Sequence, residues 1–207
     1  MDKSDENLTT KQKIINITMD IIAAEGFQNI TIRKIASRAN VNVAAVNYHF
    51  GSKDGVINAA LTEVTDEMRK NFALLKEQTD GDVEDRLFTF IYNYTEIINK
   101  YPDIIRNMIN HAIHNKPLDQ HIEYMTFLKT EGIELLKETI ARVRPEMDKD
   151  VLCLRTLHLL STLSFPVLLG GYIREITGVD LKDLEARKKH ARLLLESIVG
   201  ADKAAQD

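Results

Sequence analysis

Residues 31–53 read TIRKIASRANVNVAAVNYHFGSK, and the spacing within them decides the fold. After Thr31, a good N-cap, Ile32, Ile35, Ala36 and Ala39 fall on one face of a helix. Asn40 belongs to the few residue types that enter the left-handed region readily, so it can make a turn. Asn42 then caps a second helix over about 43–49, in which Val46 and Phe50 lie four apart and face inward with Val41. Val43, Ala44, Asn47 and Tyr48 occupy another face that no local core requires. Two short helices joined by a three-residue turn make a helix-turn-helix.

Working outward, a helix over 10–25 is expected before this unit. Thr9 or Thr10 would cap it, Ile14, Ile17, Ile21 and Ala24 would form its apolar stripe, and Gly26 would end it. A long helix starts at Lys53 and runs to about 77, shared by head and body and so coupling them. Further helices are expected at 82–100, capped by Asp82, and from Pro102 at an N1 position to a break at 115–118. One more reaches 144; the last two cover 149–177, bent or broken at Pro166, and 181–199, before a frayed tail. This is an all-α chain of about nine helices: a three-helix head, residues 1–54, for DNA binding, and a larger helical bundle, residues 55–203, for ligand binding and dimerisation. Nine glycines and four prolines in 207 residues are too few for an all-β protein.

The single cysteine, Cys153, excludes an internal disulfide framework and suits a reducing compartment; inside an apolar helix it is expected to be buried and inert. The polar N-terminus has no signal-peptide core, which points to the cytoplasm. Residues 156–173 form a run of 18 without a formal charge, the least that could span a membrane. His158, Ser161, Thr162, Ser164, Pro166 and a Gly pair dilute it, and Arg155 and Arg174 bracket it. It reads as a helix buried on most sides by its own domain and a second subunit, with no membrane partner.

Net charge is −4, unevenly spread. Between residues 9 and 53, six bases (Lys11, Lys13, Arg33, Lys34, Arg38, Lys53) face two acids (Asp20, Glu25), a net +4 that leaves −8 to the remainder. A basic head on an acidic body suits a protein that touches phosphate with one end. The short side chains of Ala44 and Ala45 let the backbone of a recognition helix enter a major groove ~12 Å wide, and the methyls of Val43, Ala44 or Ala45 can pack on thymine methyls. Asn47, Tyr48, His49 and Lys53 are placed to bond phosphates, as are Thr31 and Asn42 beyond their capping roles; Arg33 is the candidate for a guanine contact. The plain alternatives are that Tyr48 and His49 close the head's own core and that Arg33 is a solvated helix residue.

The run from 26 to 57 resembles the DNA-binding head of the TetR/AcrR family of transcriptional regulators, through Gly26, Phe27, Thr31, Ile35, Ala36, Ala39, Val41, Tyr48, His49, Phe50, Ser52 and Lys53. It departs at Asn40, where that family has a turn glycine; at Asn47, where a tyrosine is usual; and at Val43-Ala44, where a polar residue and glycine are common. The resemblance implies a homodimer on a palindromic double-stranded operator, with recognition helices ~34–36 Å apart. It implies pairing through the last two helices, for which the 152–169 segment and the stripe Leu184, Ala191, Leu194, Ile198 are suited. It further implies an unknown small apolar or amphipathic inducer in the body and, by analogy, repression.

Met108, His111, Tyr124 and Phe127 are candidates to line that inducer pocket, although a Met and aromatic stripe is more often plain core. His111, His114 and His121 invite a metal reading, but without a cysteine cluster or a firm carboxylate partner no metal is assigned. No cofactor is expected. No phosphate-cradling glycine loop, nucleophile elbow or metalloprotease His pair is found, so the chain is not expected to be an enzyme. A bundle enzyme or a helical interaction protein without DNA binding is the competing class.

Overall fold

The structure, a computed structural model, describes residues 9–76, 82–114 and 118–200. The expected breaks at 79–81 and 115–117 and the tail at 201–207 lie outside them. Among the described residues there are eleven α-helices and no strand. They are α1 (Thr10–Glu25), α2 (Ile32–Ala39), α3 (Val43–Phe50), α4 (Lys53–Ala73), α5 (Val83–Lys100), α6 (Pro102–His114), α7 (Asp119–Phe127), α8 (Ile133–Val143), α9 (Lys149–Leu169), α10 (Tyr172–Thr177) and α11 (Leu184–Val199).

The excess over nine has two causes. The helix expected to reach 144 is divided into α7 and α8 by a π-helical turn, Leu128–Gly132. Gly132 fits there because a Cβ would stand 3.2–3.3 Å from Leu128, Phe127 and Phe72. The second division falls at Gly170, not at Pro166, which stays inside α9. Proline removes one donor from the ladder, yet its carbonyl still accepts the Gly170 N–H at 3.0 Å. Gly170 itself, at φ 54 and ψ −129, takes a backbone conformation closed to residues with a Cβ, and that is what ends the helix.

The chain packs as two units, Met1–Asp66 with Tyr101–Tyr124, and Glu67–Lys100 with Met125–Asp207. These differ from a division at residue 54 because α6 packs on α1. Asn107 Nδ2 donates to the Ile22 carbonyl at 3.0 Å, and the His111 ring lies 5.1 Å from that of Phe27. The first unit is centred on Ile14, Ile21, Ile22, Ile35, Ala39 and Val46. The buried face of α1 is Ile14, Ile15, Thr18, Met19, Ile21 and Ile22, whereas Ala24, expected on the stripe, is exposed.

In the second unit Phe72 and Phe90 meet edge to face at 4.9 Å, and α11 packs on α5 with an Arg187–Glu96 ion pair holding the two together. Helix α11 starts three residues later than expected, where the Asp183 carboxylate accepts the Ala186 N–H at 2.8 Å. Its Ala191, Leu194 and Ile198, assigned above to a second subunit, are buried within the chain, and Leu184 is exposed. Helix α9 is long and apolar enough to cross a membrane, but only 22% of its apolar window is buried. Its burial is therefore one-sided: Thr156, Leu159, Leu163 and Val167 face the core, while Leu154, Leu157, Phe165 and Leu168 face outward. Cys153, expected to be buried, is exposed.

The junction of α3 and α4 depends on Gly55, where a Cβ would lie 2.2 Å from the Phe50 carbonyl oxygen. Backbone cannot yield as a side chain can, so Gly55→Ala is expected to cost about 1–3 kcal/mol of stability in urea unfolding.

Candidate nucleic-acid interface

Each helix of the helix-turn-helix is capped at its N-terminus by a side chain. Thr31 Oγ1 accepts the Lys34 N–H at 3.1 Å, and its hydroxyl proton remains available to a phosphate. Asn40 stands at φ 53 and ψ 48, squarely left-handed, and lets the Val41 N–H reach back to the Ala36 carbonyl at 2.9 Å. Asn42 Oδ1 accepts the Ala45 N–H at 2.6 Å, which leaves the amide NH2 as its free donor.

The pattern on α3 is sharp. Val46 is fully buried and carries the helix, while Asn42, Val43, Ala44, Asn47, Tyr48 and His49 are exposed and Ala45 is half-buried. Tyr48 is 86% exposed and meets the His49 ring edge-on at 5.2 Å. A residue so exposed does not close a core, so the plain alternative for Tyr48 and His49 fails. Lys53 opens α4 half-buried, beside Ser52, whose Oγ accepts the Gly55 N–H at 3.0 Å. Arg33 is exposed on α2.

One acid changes the charge count. Glu25, the last residue of α1, pairs with Lys34 at 2.8 Å and with Arg38 at 2.6 Å. The hydrogen bond from Lys34, aided by both positive charges, holds its carboxyl below the usual carboxylate range. Two of the six bases counted in the head are thereby engaged with a carboxylate. Nothing in the local sequence signals this, since the partners are nine and thirteen residues away.

The four candidate pocket residues do not share a packing unit. Met108 and Tyr124 are buried and His111 is half-buried in the first unit; Phe127, in the second, stands edge-on to Phe72 at 5.4 Å and carries Arg69 over its ring at 5.7 Å. One cavity in the second unit, about 410 Å³, is lined by Glu67, Glu96, Ile97, Asn99, Lys100, Lys182 and Arg187, none of them foreseen. It is polar and crossed by the Lys100–Glu67 pair at 2.6 Å. A feature that sequence could not show is Asn71, 4% exposed, whose Nδ2 donates to the Phe90 carbonyl at 2.9 Å while its Oδ1 has no partner among the described residues. No group of three or more His, Cys, Asp or Glu suited to a metal occurs among those residues either.

Comparison with known proteins agrees with this geometry. Residues 14–60, from within α1 through α3 into α4, match the family model for bacterial regulatory proteins of the tetR family. The chain is 26% identical over 129 residues to an uncharacterized helix-turn-helix-type transcriptional regulator, YvkB, of Bacillus subtilis, covering 62% of this chain and 66% of that one. It is 29% identical over 77 residues to the transcriptional regulator BetI of Stenotrophomonas maltophilia, covering 37% and 39%. The matched stretches thus span about two thirds of the first relative and under half of the second. A TetR-family regulator from Bordetella parapertussis has the same fold, with a TM-score of 0.70 at 16% identity over 95% of this chain and 96% of that one.

Two histidines couple the fold to pH. Burial, and for His121 also the neighbouring His111, lowers the pKa of His121 and His190 below the ordinary imidazole value. The neutral form is the one the fold prefers, so stability is full above the unfolded pKa and falls as pH drops through and below it. Urea midpoints are expected to decline from pH 7 to pH 5, and a His121→Gln, His190→Gln variant to show a shallower decline.

Proposed function

The chain belongs to the TetR family of bacterial regulatory proteins, and from that premise we propose that it is a cytosolic, ligand-responsive repressor that binds a palindromic operator as a homodimer. The observation that carries this is the outer edge of α3: short side chains at Val43, Ala44 and Ala45, bordered by exposed Asn42, Asn47, Tyr48 and His49. Short residues admit the helix to the major groove, and the polar ones reach the phosphates on either side. Thr31 and Lys53 add contacts at the starts of α2 and α4, where helix N-termini favour anions. Arg33 is assigned the guanine contact.

The exposed stripe of α9 supports pairing of two copies. Leu154, Leu157, Phe165 and Leu168, with Ser161 among them, follow helical periodicity along one side, and Leu193 of α11 is exposed as well. A twofold axis brings such a surface against itself. This keeps the last helices as the interface while replacing Ala191, Leu194 and Ile198, which serve the chain's own core. The inducer is assigned to the body, and a coupling of ~1–3 kcal/mol suffices to change operator occupancy several-fold.

Two measurements test the proposal. In fluorescence-anisotropy titrations with an operator selected from random duplexes, Tyr48→Ala and Lys53→Ala are expected to weaken binding uniformly, and Lys53→Ala, which removes a cation, also to flatten the salt dependence by about one unit. Arg33→Ala is expected to cost about 1–3 kcal/mol and to relax preference at one base pair per half-site. Unchanged affinity in all three variants removes the DNA assignment. By sedimentation, the wild type is expected to be a dimer at micromolar concentration and Leu157→Glu a monomer; a dimeric Leu157→Glu moves the interface elsewhere.

A further inference from the structure

We propose that Glu25 is a specificity-determining residue of the DNA-binding head, holding Lys34 and Arg38 away from phosphate so that fit, rather than charge alone, decides which duplex is bound. The proposal rests on the DNA-binding reading above.

The placement of Glu25 is poor for helix stability. It ends α1, where the carbonyl end of the helix repels an anion and a base would be favoured. Its own backbone carbonyl is already occupied, accepting Asn29 Nδ2 at 2.7 Å. What its carboxylate does instead is divide its two oxygens between two cations, Oε2 to Lys34 Nζ and Oε1 to an Arg38 guanidinium nitrogen.

Those cations lie where a backbone contact would be made. Thr31, Lys34 and Arg38 are spaced three and four apart, one side of α2 that begins at its N-cap, whereas Arg33 and Ser37 form a separate row. The first helix of a helix-turn-helix crosses the phosphate backbone, so this side, without Glu25, would present two unopposed positive charges. With Glu25 the local charge falls from +2 to +1, and both donors are engaged. The lowered carboxyl pKa keeps Glu25 ionised at neutral pH, so the clamp does not open by protonation. Exposed ion pairs are weak, and a phosphate in the right place competes for the same donors. Non-specific affinity comes almost wholly from such charge contacts, each contributing about −0.9 to the slope of log K against log salt. Withholding them lowers binding to every duplex alike and leaves the α3 contacts to discriminate.

The test uses the full chain and a 30-base-pair random-sequence duplex in anisotropy titrations from 50 to 300 mM KCl. E25Q, nearly isosteric and on the surface, is expected to bind this duplex about tenfold more tightly at the lower end, with a slope steeper by about one to two units per protomer. Its preference for the selected operator over the random duplex falls correspondingly, and its thermal midpoint stays near that of the wild type. K34A/R38A added to E25Q, which removes the clamp and both cations together, is expected to return the slope to about the wild-type value. An E25Q slope equal to or shallower than the wild type, or a triple-variant slope as steep as that of E25Q, overturns the proposal. Absence of salt-dependent duplex binding by the wild type would instead sink the DNA-binding reading, a different result from either.

Discussion

The head depends on one backbone constraint, the left-handed Asn40 that lets the Val41 N–H fold back onto the Ala36 carbonyl. That bond ends α2 and aims the chain so that Asn42 can cap α3. With the turn so closed, Val46 is the only fully buried residue on α3, and the remainder of the helix is left outward. An asparagine serves here because its short side chain tolerates positive φ with less strain than other residues bearing a Cβ. The Cβ-free solution is used one junction later, where Gly55 lets α4 begin against the Phe50 carbonyl. Both junctions favour short chemistry over packing volume, and the effect is to display α3 rather than bury it.

Display without core is costly unless something else holds the helices. Here it is supplied from behind, by Ile14, Ile21, Ile22, Ile35 and Ala39, none of which is appreciably exposed. At ~25 cal/mol per Å² of apolar surface, each of these isoleucines contributes about 1.5–3 kcal/mol, more than a single exposed ion pair does. The core and the displayed edge of α3 are thus made of different residues, which leaves the outward face of α3 open to substitution at little cost to the fold. The docking of α6 through Asn107 and His111 adds to the same unit residues that lie some eighty-five positions beyond their partners Ile22 and Phe27.

The helix-turn-helix was legible because its signals are local: caps at Thr31 and Asn42, a turn residue, and apolar spacings of three and four. The π-turn at 128–132 and the break at Gly170 were not, since the first arises from close packing of Phe72, Phe127 and Leu128 about Gly132. Pro166 was a misleading cue. A proline in a helix gives up one donor but does not force the backbone out of α geometry downstream, whereas a positive φ does. The Glu25 clamp was hidden for a third reason: sequence counts charges, but only the fold says which of them face one another.

Helix α9 illustrates the limit most clearly. Its sequence is apolar on nearly every side, and a periodic pattern cannot say how many neighbours share that surface. The structure assigns one side to the core through Leu159, Leu163 and Val167, and leaves Leu154, Leu157, Phe165 and Leu168 facing outward. With Ser161 interrupting them, these four large apolar residues still mark one outward side of α9 along its length. Membrane burial would have to accommodate Arg155, whose guanidinium binds the Ser197 carbonyl, and the exposed His158 and Ser161 on the same stretch. In the pairing proposed above, a copy of the same helix would meet those groups with like chemistry: apolar against apolar along the stripe, with polar groups at its margins still wet. The run that looked like a membrane span in one dimension is, in three, a helix with one side in the core and an apolar side facing outward.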